Sequence, residues 1–295
     1  MKNFLGIFVI TVIGMMAFVS CEPVENRLEM KGAVTEADVR AKIKVEVIMR
    51  ESEETPGKMV KSNFINIINE GLAPCVTSFT HGLGTFVGAS INNLQAFVVA
   101  GEQTVLVNVL NADGTRLDPI PFTVVVEEAF DVAPEWAIFC GDGERVWTWL
   151  DEGRTWGNGG YKADLAPGWW GRPASEIDGE MEGNGEGATM TFSATGARLI
   201  KDRNDGIQEI GTFSFDMSKK IRNANNDGDW SIGHMSTSQV TVLNGQRMND
   251  GNGPLYEYEI LKLSDEELVL GWPTGDNIDA GGWSEAWFWV FRAKN

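Results

Sequence analysis

The chain has 295 residues, and its 42 acidic side chains outnumber 24 basic ones to give a net charge of −18. A negative field of this size repels phosphate backbones, so nucleic acid is excluded as an expected partner and heavily anionic polymers are disfavoured. Hydrophobic residues make up 43% of the chain, which is enough for a core in each of the two domains that this length suggests.

The N-terminus has the pattern of an export signal. Lys2 gives it a basic start, and the uncharged run over residues 4–19 is shorter than the about 20 residues of a membrane span. The run ends in Phe18-Val19-Ser20-Cys21, which resembles the lipobox of bacterial lipoproteins. We therefore predict a signal peptide over residues 1–20 and a lipid on Cys21. An uncleaved anchor and an ordinary signal peptide are the alternatives.

Residues 21–35 are polar and form an expected tether behind the lipidated cysteine. Glu22 and Glu25 follow Cys21 closely, and acidic residues at this place resemble the surface-export signals of Bacteroidetes lipoproteins. The resemblance implies an outer-membrane protein that is held by a lipid anchor and faces the cell surface.

Residues 36–127 have the pattern of a small immunoglobulin-like β-sandwich. Over residues 39–47 apolar and polar side chains alternate, as in a half-buried strand. Further runs rich in β-forming residues predict strands at 64–68, 96–99, 104–110 and 121–126. Several short strands in about 90 residues indicate a sandwich and not a helical domain.

Two segments of this region resemble a polycystic-kidney-disease (PKD)-like domain. Phe79-Thr-His-Gly-Leu-Gly84 is similar to a reduced form of its aromatic-Asp-Phe-Gly-x-Gly turn, and Gly101-Glu-Gln-Thr-Val-Leu-Val-Asn-Val109 is similar to its Gly-x-Tyr-x-Val strand. Such domains usually serve as spacers, and the resemblance implies a spacer here as well.

Residues 128–295 carry all eleven tryptophans of the chain. Strand-like runs are separated by Gly, Asn and Asp, and no segment keeps the 3.6-residue period of a helix. The runs cover residues 147–149, 188–193, 211–216, 240–243, 256–261, 268–270 and 287–291. We predict an all-β domain, either a jelly-roll-like sandwich or a lipocalin-like barrel.

The last of these runs has two apolar faces. Trp287, Trp289 and Phe291 alternate with Phe288 and Val290, so the strand is either buried on both sides or has one core face and one binding face. We interpret Trp287 and Trp289 as core residues.

Aromatic residues flanked by glycine predict a ligand-binding site in the same domain. Tryptophan stacks on flat apolar surfaces such as the C–H face of a sugar ring, while nearby polar groups bond the sugar hydroxyls. The predicted stacking residues are Trp156, Trp169, Trp170 and Trp283, and the predicted polar partners are Asn158, Tyr161, Arg172 and Glu285. The alternative is that these aromatic residues only hold a long loop onto the domain.

Catalytic and metal-binding patterns are weak. The chain has two histidines and none of the common hydrolase or phosphate-binding motifs, although Glu176, Asp178 and Glu285 could supply the carboxylate pair of a glycoside hydrolase. Residues 223–229 place oxygen ligands at alternate positions as in an EF-hand, but His234 stands where the last ligand would be. We predict no enzyme and no cofactor, with a glycoside hydrolase and a structural calcium ion as the alternatives.

The end of the chain is similar to C-terminal domains found behind PKD-like domains in Bacteroidetes. The similarity lies in Tyr256-Glu-Tyr-Glu-Ile-Leu-Lys-Leu-Ser-Asp-Glu-Glu-Leu-Val-Leu270 and Trp283-Ser-Glu-Ala-Trp-Phe-Trp289. It implies a surface glycan-binding lipoprotein of a polysaccharide-utilisation system, with a β-glucan such as laminarin as the suggested ligand. Such a protein captures polysaccharide without cleaving it and works beside an outer-membrane importer and hydrolases. A lipocalin-like carrier or structural envelope protein is a further alternative.

Overall fold

The structure is a computed structural model that describes residues 32–274 and 284–294. Over these residues the protein is all-β, as the sequence predicts. The predicted signal peptide, Cys21 and most of the predicted tether lie outside the described residues, and so does Trp283.

The N-terminal region is a sandwich of two antiparallel sheets. One sheet has the order β1-β2-β5 and the other has the order β4-β3-β6-β7. The seven strands are β1 (Ile43–Glu51), β2 (Met59–Asn69), β3 (Cys75–His81), β4 (Gly84–Val87), β5 (Ile91–Gln95), β6 (Gly101–Asn111) and β7 (Ile120–Val126). Alternate residues of β2, β3 and β6 point between the sheets, and Ile65, Ile67, Phe79, Val105 and Val107 are fully buried there.

The first residues of this region correct two predictions. Residues 36–42 form a helix, α1 (Glu36–Lys42), where part of a strand was predicted, because Thr35 and Asp38 form a capping box that satisfies the free amides of the first turn. Val34 is also buried, and its N–H donates to Asn111 Oδ1 at 3.0 Å. The sandwich therefore begins by Val34, inside the predicted tether.

Two buried apolar runs that were predicted as strands are irregular. Residues 96–99 follow β5 without pairing in a sheet, and Asn63 Nδ2 donates to the carbonyl of Phe97 instead. Residues 240–243 lie between two strands of the barrel described next, and Val242 and Leu243 are fully buried. A short apolar run predicts that a segment is buried, but a buried segment need not be a strand.

The C-terminal region is a closed eight-stranded antiparallel barrel, which decides between the two predicted architectures. Its strands follow the chain as a meander, β8-β11-β12-β13-β16-β17-β18-β19, and β19 returns to β8 by pairing Phe291 with Trp149. The barrel strands are β8 (Glu144–Trp149), β11 (Thr189–Ser193), β12 (Arg198–Asp202), β13 (Gln208–Asp216), β16 (Gly233–Ser238), β17 (Glu257–Leu263), β18 (Glu267–Pro273) and β19 (Glu285–Ala293). Four short strands lie outside the barrel, β9 (Trp156–Gly160), β10 (Trp170–Arg172), β14 (Ile221–Arg222) and β15 (Asp229–Ser231).

Large side chains occupy the barrel interior, and chain segments cover both ends. At one end lies the short helix α2 (Glu135–Cys140), where Phe139 stacks on Phe192 at 5.4 Å between ring centroids and its carbonyl accepts a hydrogen bond from Trp147 Nε1. Residues 239–256, which we name the mouth loop, cover the other end, which we name the mouth. Trp289 Nε1 donates to Asn244 of this loop at 3.1 Å. The interior is therefore a packed core.

The outer face of β19 is buried as well. This confirms the prediction that the strand is buried on both sides, and not the alternative of one core face and one binding face. Phe288 and Val290 pack beneath Trp230 and Tyr161, whose rings meet edge to face at 5.0 Å. Trp230 Nε1 donates to the carbonyl of Asp164 at 2.6 Å, so the β14–β15 hairpin is fixed to the turn that follows β9.

Cys75 and Cys140 form no disulfide. Burial raises the pKa of Cys140 to about 12, so its thiol stays protonated and unreactive near neutral pH. Among the described residues, no helix combines the length and the hydropathy that a membrane crossing needs.

Candidate ligand-binding site at the barrel mouth

The sheet forks at β19, and the fork creates a platform beside the mouth. The first half of β19 pairs with β9, and its last residues pair with β8. β10 continues the sheet beyond β9. A Cβ atom on Gly157 would lie 2.2 Å from the carbonyl oxygen of Trp170, so the glycines of this segment allow β9 and β10 to approach closely.

Four residues form a cross-strand row on the mouth side of this platform. Trp272 of β18 pairs with Trp287 of β19, Trp287 pairs with Asn158 of β9, and Asn158 pairs with Trp170 of β10. Directly opposed residues of antiparallel strands point to the same face. We name Trp272, Trp287, Asn158 and Trp170 the mouth row.

Three tryptophans contact one another at one end of this row. Trp156 lies 4.8 Å from Trp287 and 5.7 Å from Trp170, and Trp170 lies 5.9 Å from Trp287, all measured between ring centroids. Trp170 is 39% exposed, whereas Trp287 is 4% exposed and Trp156 is completely buried. The site therefore offers the ring of Trp170 to solvent and uses the other two as its support.

The burial of Trp156 corrects its predicted place in a surface loop. It lies in β9, and its ring has no exposed face on which a sugar could stack. The flanking glycines predict an open loop, but in the structure they allow the tight packing that buries this indole.

Glu285 organises the polar centre of the site. One carboxylate oxygen accepts from Asn158 Nδ2 at 2.6 Å and from Asn249 Nδ2 at 3.2 Å, and the other accepts from Asn249 Nδ2 at 3.0 Å and Thr274 Oγ1 at 3.0 Å. Asn158 Oδ1 in turn accepts the backbone N–H of Trp170 at 3.1 Å. The carboxylate thus links the mouth loop to the mouth row.

These contacts determine the charge of Glu285. Burial acts to raise the pKa of its carboxyl group, but hydrogen bonds from Asn249, Asn158 and Thr274 stabilise the ionised form, and the net effect is a lowered pKa. The group therefore stays ionised at neutral pH. A carboxylate that already accepts four hydrogen bonds serves first to position its donors.

The substitution Glu285→Gln should lower the unfolding free energy by about 1–3 kcal/mol, because an amide NH₂ would then face groups that are themselves donors. A lowered folded-state pKa stabilises the protein above the unfolded-state pKa of about 4.3, and this contribution is lost as pH falls through the folded value. The difference in melting temperature from wild type should therefore be constant near neutral pH and shrink in acid. Glu152→Gln, at an exposed position, is the control. A difference that persists unchanged in strong acid would contradict this role.

The remaining predicted residues fall in different environments. Trp169 is 49% exposed and directly precedes β10, so it stays a predicted ligand contact. Arg172 forms ion pairs with Glu176 at 2.8 Å and Glu180 at 3.2 Å, and its guanidinium lies 5.1 Å from the Trp170 ring centroid. Arg172 therefore packs over the Trp170 ring with its charge already paired.

The prediction that Tyr161 is a polar partner at the surface is wrong. It is 3% exposed and belongs to the apolar cluster on the outer face of β19, the face opposite Trp287. Its N–H donates to the carbonyl of Ser284 at 2.6 Å. The prediction for Trp283 lies outside the described residues.

Sequence reasoning missed three residues of the site. Trp272 continues the alternation of Leu268 and Leu270, so the pattern of β18 contained the signal. Tyr256, which lines a groove at the mouth together with Trp272, likewise has the parity of the buried Tyr258. Asn249 has no local signal, because its contact with Glu285 joins residues 36 positions apart.

The candidate calcium loop forms an ordinary turn. Asn223 Oδ1 accepts the N–H of Asn225, and Asn226 Oδ1 accepts the N–H of Gly228, so these oxygens cap the backbone. Asp229 pairs with Arg222 at 3.1 Å. Within 32–274 and 284–294, no cluster of three or more His, Cys, Asp or Glu side chains is arranged to hold a metal ion. Asp178, which the sequence offers for the carboxylate pair of a hydrolase, accepts hydrogen bonds from the N–H of Gly185 and from Asn204 Nδ2.

Fold and site together define a two-part β-protein, a sandwich followed by a packed barrel with an aromatic platform at its mouth. A scan against protein-family models and a search of curated proteins found no match to this chain.

Proposed function

We propose that this protein captures a neutral polysaccharide without cleaving it, at the mouth of its barrel. The observation that carries the proposal is the exposed ring of Trp170 beside the hydrogen-bonded centre made by Asn158, Glu285 and Asn249. A sugar requires an aromatic plane for its C–H face and fixed polar groups for its hydroxyls. Both are present within one platform.

The rigidity of the platform supports binding. Trp170 is held by its pairing with Asn158, by the rings of Trp156 and Trp287, and by the guanidinium of Arg172. A side chain that is already fixed loses little conformational entropy when a ligand binds. The net charge of −18 further favours neutral glycans over sulfated or uronate polymers.

Two rival functions receive less support. A lipocalin-like carrier needs space inside its barrel, whereas Trp147, Trp289 and Phe291 fill the interior here. A glycoside hydrolase needs a carboxylic acid with a raised pKa to protonate the leaving group. The lowered pKa of Glu285 does not suit that acid, although it suits the second, ionised carboxylate of such a pair.

Within this proposal, the lipobox-like Cys21 anchors the protein to the outer membrane at the cell surface. The sandwich then acts as a spacer between anchor and site, and an importer and hydrolases of the same system are the partners. A β-glucan such as laminarin is the first ligand to test.

Affinity gel electrophoresis of residues 22–295 through a panel of neutral polysaccharides tests the proposal. Retarded migration in a gel that contains one glycan is expected, with no release of reducing sugar in solution. The same protein in a gel without glycan is the control. Release of reducing sugar would favour the hydrolase, whereas normal migration in every gel together with binding of small apolar dyes would favour the carrier.

A further inference from the structure

A surface groove adjoins the mouth row on the side away from Trp170. It has a volume of about 690 Å³, and its lining includes Arg247, Asp250, Tyr256, Glu257 and Trp272. Tyr256 is 37% exposed and Trp272 is half-buried. The groove therefore places two aromatic side chains, those of Tyr256 and Trp272, at the end of the site opposite Trp170.

The register of the sheet gives the distance between the two aromatic ends. Trp170 lies on β10 and Trp272 on β18, with β9 and β19 between them. Three interstrand spacings of about 4.8 Å separate these strands by roughly 14 Å, and the Tyr256 side of the groove extends the span further. The polar centre around Glu285 and Asn249 lies between the two ends.

We infer that the site holds an extended segment of an unbranched neutral glycan, with one sugar unit on Trp170 and another in the groove of Trp272 and Tyr256. This inference rests on the proposed function. A pyranose unit is about as long as one interstrand spacing, so the two aromatic ends are about three to four sugar units apart. Intervening units pass over the polar centre, which suits their hydroxyl groups.

The exposed ends of the site select internal segments of the chain. Trp170 at one end and Tyr256 at the other are both more than a third exposed, so the polymer can continue past either one. The side chains at the groove carry both signs of charge, with Arg247 near Asp250 at 3.7 Å. An ion pair of this kind offers hydrogen-bond donors and acceptors to sugar hydroxyls. Because its net charge is zero, it does not attract an ionic ligand.

Isothermal titration calorimetry with linear β-1,3-gluco-oligosaccharides of increasing length, and with laminarin itself, tests the inference. Affinity should rise about tenfold between the disaccharide and a chain that reaches the second aromatic end, and then stay constant. Tyr256→Ala should abolish this gain for long chains, because one of the two aromatic ends is then lost. Trp272→Ala should do the same, and a melting curve checks that each variant is folded.

The outcomes separate the two proposals. Affinity that is already maximal for the disaccharide, or a gain with length that survives in both variants, would overturn the two-ended site and leave glycan capture intact. Lack of binding by every oligosaccharide and by laminarin, together with normal migration in all polysaccharide gels, would refute both.

Discussion

Replacing Trp289 with alanine is expected to lower the unfolding free energy by about 3–5 kcal/mol, the range for removing a large buried aromatic side chain. Trp289 is completely buried, meets Tyr258 edge to face at 5.6 Å, and donates from Nε1 to the carbonyl of Asn244. The substitution leaves a cavity in the barrel core and removes a bond to the mouth loop. Thermal and urea unfolding followed by circular dichroism would measure the effect.

The variant Trp289→Phe separates the two contributions. It keeps an aromatic ring in the core but removes the donor to Asn244, so the unfilled volume is smaller than in the alanine variant. The carbonyl of Asn244 still accepts the N–H of Gln246 at 3.0 Å, so loss of the bond from Trp289 costs only about 0.5–1.5 kcal/mol. An alanine variant that melts like wild type would show that the interior is not packed as described.

Replacing Trp170 with alanine is expected to weaken glycan binding by about 10- to 100-fold, which corresponds to roughly 1.4–2.8 kcal/mol. Its side chain is the exposed aromatic residue at one end of the mouth row. Stability should fall by only about 1 kcal/mol, because the ring is partly in solvent. Retardation in affinity gels and a melting curve measure the two quantities on the same protein.

Two further variants make this result specific. Ile210→Ala removes a side chain that is 48% exposed on β13, and it should leave both binding and stability unchanged. Trp169→Ala should weaken binding less than Trp170→Ala, because successive side chains at the start of a strand point to opposite faces. An equal loss of binding in Ile210→Ala, or unchanged binding in Trp170→Ala, would remove the mouth row from the site.

The all-β class and the two apolar faces of β19 were predictable because a two-residue period is a local property of the sequence. Thr35 and Asp38 have capping-box spacing, so the start of α1 also has a local signal in the sequence, although the alternation over residues 39–47 predicts a strand. The burial of Trp156 depends on β10 approaching β9, and closure of the barrel depends on β19 meeting β8. A short stretch of sequence contains little information about such contacts between distant segments.

The hydrogen-bonded centre of the site illustrates the same limit. Asn158, Asn249 and Glu285 come from three separate stretches of the chain, and each is an unremarkable polar residue in its own stretch. Only the fork of the sheet and the return of the mouth loop bring them together. Trp170, Asn158 and Glu285 were identifiable from the sequence, whereas Asn249 was not.

Because the interior of the barrel is packed, one set of residues determines the stability of the fold and a different set determines which ligand it binds. Residues that carry folding stability, such as Trp147, Trp289 and Phe291, point inward, while Trp170, Tyr256 and Asn249 stand on the rim in contact with solvent. Rim substitutions of this kind cost little folding energy. The barrel is therefore a scaffold whose rim can be diversified, by evolution or in a designed library, without repacking its core.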